Sequence, residues 1–184
     1  MIFQNVNPAV NALTIDNGFK HIVSVNSYGG IGKDGKQPWY IKEDLKRFKE
    51  LTMGHTVVMG RKTYLDIERV AQEKGIEFLP GRKCYVVSNT EDFTPAHATK
   101  IPSVGKLRDI NIMQDGETVF VIGGYYLFVE TLPFTTHCYM TVVKNTEDCD
   151  VFYPIRAIST NFVPVNKAGE LDGDNFVFVD YVRT

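Results

Sequence analysis

The sequence predicts a single-domain α/β fold in three layers: a mostly parallel central sheet, helices on both faces, and an antiparallel edge at the C-terminal end. Two patterns carry this reading. Up to about residue 133, short apolar runs alternate with segments of helical period, as parallel strands joined by crossover helices do. Beyond that point Thr136–Lys144, Asn161–Asn166 and Asn175–Val182 read as strands with no long helix between them, the signature of antiparallel addition. The length of 184 residues suits one domain, which at this size buries roughly 70% of its unfolded surface.

The elements follow in order. Residues 1–18 form an irregular extension, broken by Asn5, Asn7, Pro8, Asn11 and Asn17, in which Ala12–Ile15 is a candidate edge strand. The domain proper spans 19–184. Lys20–Asn26 is the first firm strand, centred on Ile22, Val23 and Val25. A loop with four glycines follows, from Ser27 to Tyr40. Ile41–Thr52 is a helix, because Ile41, Leu45, Phe48 and Leu51 recur at helical spacing while Lys42, Lys46 and Lys49 take the wet face. Thr56–Met59 is a short strand. Thr63–Lys74 is a second helix, closed by Gly75. Lys83–Ser88 is a strand, Lys100–Ile101 a possible further one, and a weak helix lies near Lys106. Thr118–Ile122 is a strong strand that Gly123–Gly124 interrupts, and the helix Tyr125–Leu132 begins at once and stops at Pro133.

Composition narrows the function. The net charge is -2 and no Lys/Arg stripe is present, so nucleic acid is not an expected partner. Cys84, Cys138 and Cys149 form no C-x-x-C pair, and His21, His55, His97 and His137 are scattered, so no metal site or disulfide framework is expected. No segment reads as a signal peptide or a membrane span, and a soluble cytoplasmic chain, monomeric by default, is the expectation.

Four features point to chemistry. Asp44 shares a helix face with Ile41, Leu45, Phe48 and Leu51. It either leans outward in the first turn, where the helix dipole favours it, or is a buried carboxylate that pairs with a ligand's N–H donors. Val121–Ile122–Gly123–Gly124 runs straight into a helix, which allows close backbone approach of a phosphate, or is simply a tight turn. Met59–Gly60–Arg61–Lys62–Thr63 puts two cations and a hydroxyl at another helix start, suited to phosphate or merely solvated. The glycine-rich stretch Gly29–Gly35 ahead of Pro38–Trp39 has the composition of a lid or of an ordinary loop. Neither a nucleophile–histidine arrangement nor a carboxylate pair stands out, which fits chemistry supplied by a cofactor.

In order and spacing these pieces resemble dihydrofolate reductase. The matching residues are Ile31–Gly32, Pro38–Trp39, Asp44, Phe48, Met59–Thr63, Leu79–Pro80–Gly81–Arg82, Val121–Gly124, Tyr139–Met140–Thr141, and Asp150 ahead of Phe152–Tyr153–Pro154. The resemblance implies that fold and NADPH-dependent reduction of 7,8-dihydrofolate to tetrahydrofolate, with hydride to C6 and a proton to N5. It implies Asp44, Trp39 and Thr141 as catalytic residues, with Thr141 supporting Asp44. Ile22, Ser24, Phe48, Arg82 and Ile122 then contact the substrate, Arg82 taking the glutamate α-carboxylate. Ser24, Ile31, Gly32, Gly60, Arg61, Lys62, Thr63, Ser88, Asn89, Ile122, Gly123, Gly124, Tyr125, Tyr126 and Leu127 then contact the cofactor. Dihydrofolate and antifolates are the implied ligands.

Departures from the family pattern are visible. Glu68–Gly75 is an apparent helical insertion, Tyr126 and Asn89 replace phosphate-binding residues of some relatives, and Phe128 replaces a tyrosine. Preference for NADPH over NADH therefore rests mainly on Arg61. Two alternatives remain at this stage: a riboflavin-pathway-type pyrimidine or pterin reductase of the same fold, and a catalytically silent binding protein.

Overall fold

The structure is a computed structural model, and it describes residues 18–109, 117–144, 148–165 and 175–184. The expected extension, with its candidate strand Ala12–Ile15, lies outside the described residues apart from Gly18.

Eight strands form one sheet. Six are parallel: β1 (Phe19–Asn26), β3 (Thr56–Gly60), β4 (Lys83–Val87), β5 (Thr99–Ile101), β6 (Val119–Gly123) and β7 (Thr135–Val143). The antiparallel edge is β10 (Phe176–Arg183), paired with β7, and then β9 (Phe162–Pro164). The spatial order is β5-β4-β3-β6-β1-β7-β10-β9. A small second sheet pairs β2 (Gly30–Gly32) with β8 (Val151–Phe152). The helices are α1 (Lys42–Thr52), α2 (Arg61–Lys74), α3 (Val104–Asp109), α4 (Tyr125–Thr131) and α5 (Ile155–Asn161).

Strand alternation sorts side chains into two cores. Phe19, Val23, Val25, Val121 and Met140 face α3, α4 and α5, where Leu107, Phe128 and Ile158 meet them. Ile22, Val57, Met59, Phe120 and Ile122 face the other way, towards Leu51 of α1 and Tyr64 and Ile67 of α2. On that second face Ile22, Leu51, Ile67 and Ile122 are only half-buried, so the core is open there. That opening is the cleft.

Element types match the sequence reading with three corrections. Helix α2 begins at Arg61 rather than Thr63, because Gly60 takes the N-cap position in extended conformation. It ends as expected: Gly75 adopts φ 61°, and its N–H and that of Ile76 close on Gln72 and Ala71. The expected strand Asn161–Asn166 is shorter, Phe162–Pro164, and α5 precedes it, with Asn166 outside the described residues. That helix has one buried anchor, Ile158, so no period is visible. Its last residues, Ser159, Thr160 and Asn161, bond back to the carbonyls of Arg156 and Ala157. The third correction is the glycine-rich loop. It is stitched down by β8 and by the Asp34 N–H donating to Asp150 and the Asp150 N–H to Gly32. Strands of two or three residues carry no legible alternation.

One polar cluster lies wholly inside the first core. The ring of His21 has Tyr153 at Nδ1, 2.7 Å away, and Thr131 and Thr135 at Nε2, both at 2.8 Å. Each threonine donates its proton to a carbonyl, of Leu127 and Thr131 respectively. The imidazole therefore donates from Nε2 and accepts from Tyr153 at Nδ1, which is the neutral form. Burial, then the charge of Arg183, lowers the pKa of His21 from 6.5 to about 3. The unfolded chain thus binds a proton below pH 6.5 that the folded chain refuses until about pH 3. Stability from this group is full above pH 6.5 and is lost as pH falls. Acid titration of unfolding free energy should show a loss of about 3 kcal/mol by roughly pH 4 from this group. His21→Leu should flatten that slope, and an unchanged slope would remove His21 as its cause.

Candidate active site

Helix α1 crosses the open side of the second core. Thr52 is its only buried residue, and Leu45, expected on its apolar stripe, is 46% exposed. The inner face is instead Asp44, Arg47, Phe48 and Leu51, all half-buried. Asp44 therefore points at β7, where the buried Thr141 donates to its Oδ1 at 2.5 Å. Burial holds its carboxyl above the usual range, while the Thr141 bond and the charge of Arg47 pull it down. A half-buried carboxylate whose other oxygen has no hydrogen-bond partner among the described residues is built to accept N–H donors from a flat polar ring.

The surrounding side chains are fixed by hydrogen bonds. Trp39 Nε1 donates to Ser24 Oγ at 2.9 Å, which locks the loop before α1 to the centre of β1. Arg82, ahead of β4, donates from Nε to Thr52 Oγ1 at 2.7 Å and from a terminal nitrogen to the Pro80 carbonyl at 3.0 Å. Its guanidinium lies 5.5 Å from the Phe48 ring. A cation held this way, near the foot of α1, suits a carboxylate at the end of a ligand that starts at Asp44.

The second half of the cleft is made of helix starts. Gly60 and Gly124 are the N-cap positions of α2 and α4. They lie side by side: a Cβ on Gly60 would stand 3.5 Å from the Gly124 nitrogen. Thr63 packs against the Gly123–Gly124 peptide, which is cis. The first turn of α2 has no acidic residue and carries exposed Arg61 and Lys62. Cations at the positive end of a helix dipole are mutually unfavourable, and an anion between them relieves the conflict. The glycines leave room for backbone approach, so the site fits a dinucleotide with phosphate groups.

Comparison with known proteins agrees with this geometry. The sequence profile described as "Dihydrofolate reductase" matches residues 18–183. The chain belongs to the dihydrofolate reductase family. It is 39% identical over 130 residues to the dihydrofolate reductase of Mycobacterium leprae (strain TN), covering 69% of this chain and 74% of that one. It is 36% identical over 124 residues to that of Bacillus subtilis (strain 168), covering 67% and 68%. Among solved structures, dihydrofolate reductase from Enterococcus faecalis complexed with NADP(H) and RAB-propyl superposes with a TM-score of 0.72 at 28% identity, covering 91% and 97% of the two chains. As a dihydrofolate reductase the chain carries out NADPH-dependent reduction of dihydrofolate, and the riboflavin-type alternative is not favoured.

The expected site residues of this dihydrofolate reductase fall into three groups. Ile22, Ser24, Trp39, Asp44, Phe48, Arg82, Ile122 and Thr141 lie on β1, α1, β6, β7 and the segments leading into α1 and β4, which bound the cleft. Gly60, Arg61, Lys62, Thr63, Gly123, Gly124, Tyr125 and exposed Tyr126 gather at the α2 and α4 starts. Ile31 and Gly32 sit on β2, and Ser88 and Asn89 just past the end of β4, where buried Ser88 Oγ accepts from the Thr90 N–H. Leu127 is the third residue of α4. Its side chain is buried in the first core beside Phe128, because the third residue of α4 turns inward, so only its backbone remains for a cofactor.

The Glu68–Gly75 insertion does extend α2, and it reaches the start of α1, where Lys74 Nζ lies 5.6 Å from the Tyr40 ring. A separate cleft of about 430 Å³, lined by Glu68, Gln72, Ile76, Phe78 and His97 among others, lies along α2. None of the expected site residues lines it. Sequence reasoning passed over Arg47, although its position three residues after Asp44 puts it on the same face.

Gly123 has φ 144°, and an added Cβ would meet Thr63 Oγ1 at 2.9 Å. Gly123→Ala is therefore strained on two counts. It should cost roughly 1–3 kcal/mol in denaturant unfolding, and a wild-type midpoint would show that the backbone relaxes there.

Proposed function

We propose that Asp44 is the residue that binds and polarises the pterin of dihydrofolate, and that the α2 and α4 starts hold the phosphates of NADPH. The observation that carries this is Asp44 itself: a half-buried carboxylate, bonded by Thr141 and aimed across the open core. Its free oxygen edge accepts from the pterin amino group and the neighbouring ring nitrogen. That pairing raises electron density on the ring and favours protonation at N5, the proton coming from water. When bound, NADPH supplies the hydride that goes to C6. Thr141 keeps the Asp44 carboxylate in orientation. Ile22, Phe48 and Ile122 exclude water from the reacting faces, which strengthens every polar contact inside. Trp39 and Ser24 hold the loop that closes this part of the cleft. Arg82 receives the glutamate α-carboxylate, with Thr52 and the Pro80 carbonyl keeping its guanidinium in place.

The reading extends to antifolates, since a protonated diaminopyrimidine presents the same donor pair to Asp44. It extends also to a monomeric cytoplasmic enzyme serving one-carbon and thymidylate metabolism. The three free, buried cysteines suit a reducing compartment, and among the described residues no helix is long and apolar enough to cross a membrane.

Asp44→Asn keeps the shape and loses the charge. Turnover, followed as NADPH oxidation with dihydrofolate, should fall roughly 10²–10⁴-fold, and retention of most of the activity would end this role for Asp44. Arg61→Ala removes a charge-assisted contact at the α2 start. KM for NADPH should rise roughly 10–100-fold while that for NADH barely changes. Equal effects on both cofactors would place the phosphate that distinguishes them elsewhere.

A further inference from the structure

Helix α1 presents the pterin-binding carboxylate yet buries only Thr52, so apolar packing does not hold its first two turns in place. Two polar contacts do. One is Thr141 to Asp44, from β7. The other is the ion pair between Arg47 and Asp180, from β10, with side chains only 16% and 27% exposed. The guanidinium also lies 4.4 Å from the Phe178 ring and 5.9 Å from that of Tyr139. The β7–β10 register places Phe178 opposite Thr141 and Asp180 opposite Tyr139. The contacts therefore close a loop: α1 grips β7 through Asp44 and β10 through Arg47, and the two gripped strands are register neighbours.

We infer that Arg47, locked to Asp180, is a positioning residue for Asp44, fixing α1 over the cleft and setting the positive charge that stands one helical turn from the pterin-binding carboxylate. This rests on the reading of Asp44 given above. Arg47 and Asp44 are three residues apart on one helix face, so the cation favours the ionised carboxylate, in agreement with its effect on the Asp44 pKa. Asp180 has the opposite sign and offsets part of that field. Among the described residues, the other titratable groups on this face include Tyr139, His137 stacked on it at 6.1 Å, and Lys20 of β1, in register with His137. Cys138, on the opposite face of β7, is pushed up to about 12 by burial and stays protonated. No charged side chain comes from the centre of β1, where Ile22 and Ser24 face the cleft.

The arrangement gives opposite signs for its two halves. Removing Arg47 withdraws the cation and leaves the Asp180 carboxylate, so the Asp44 titration moves up. Removing the Asp180 charge leaves the cation uncompensated, so it moves down. The test is the pH dependence of kcat/KM for dihydrofolate and of the Kd for a diaminopyrimidine antifolate. The Asp44 titration is identified as the one that vanishes in Asp44→Asn. Arg47→Met should shift it up by about one pH unit, and Asp180→Asn should shift it down by about half a unit. Arg47→Lys keeps the charge but loses the planar stack. It should leave the midpoint in place and raise KM for dihydrofolate several-fold with kcat little changed. If Arg47→Met does not fold, Asp180→Asn and Arg47→Lys still carry the test. Shifts of the same sign, or none, in folded variants would overturn the inference while Asp44→Asn still shows its large loss of turnover. An active Asp44→Asn would instead remove the reading on which it rests.

Discussion

Strand β1 is hydrogen-bonded on both edges, parallel to β6 on one side and to β7 on the other, with register pairs running from Phe19 to Asn26 along β7. A strand in that position cannot slip by one residue without exchanging its faces. Phe19, His21, Val23 and Val25 would leave the first core, and Ile22 and Ser24 would leave the cleft. The site is measured from this strand. Ser24 receives Trp39, and β7, fixed beside it, brings Thr141 to Asp44. The glycines ending β6, its other neighbour, bring α4 beside α2.

The cleft is where the second core is left unfinished. Leu51 and Ile67 pack on it from the side, and α1 spans it without filling it. Burial there is enough to hold the Asp44 carboxyl above its usual range, and the contacts from Thr141 and Arg47 keep it from rising further. The same economy shows in the first core, where His21 is buried neutral because two threonine hydroxyls and a tyrosine satisfy both ring nitrogens. In each case a polar group is tolerated inside because it is hydrogen-bonded, and at least one partner comes from another element. Such groups then tie together elements that apolar packing leaves loose.

Much of this was legible in the chain. Periodicity located β1, α1, β3, α2, β4, β6, α4 and β10, and the order of short motifs identified the family. Element ends were less legible, because a cap such as Gly60 is set by the strand before it as much as by the helix after it. The short pieces β2, β8 and α5 were not legible, since two to seven residues with one buried anchor carry no period. Leu127 shows a related limit: a motif lists neighbours in sequence, and only the helix geometry shows that this side chain turns into the first core.

Asp44 shows where the division lies. Sequence alone placed it on one helix face with Ile41, Leu45, Phe48 and Leu51, leaning outward or buried, and, through the motifs around it, in a chain that resembles a reductase of folates. It could not decide whether that face met a core or a cleft, because the answer depends on how far α2 stands from α1 and what β6 leaves uncovered. Nor could it show Arg47 paired with Asp180, 133 residues away. Local spacing determines which residues share a face. Only the packed sheet decides what that face meets, because the partners come from strands that the chain reaches much later.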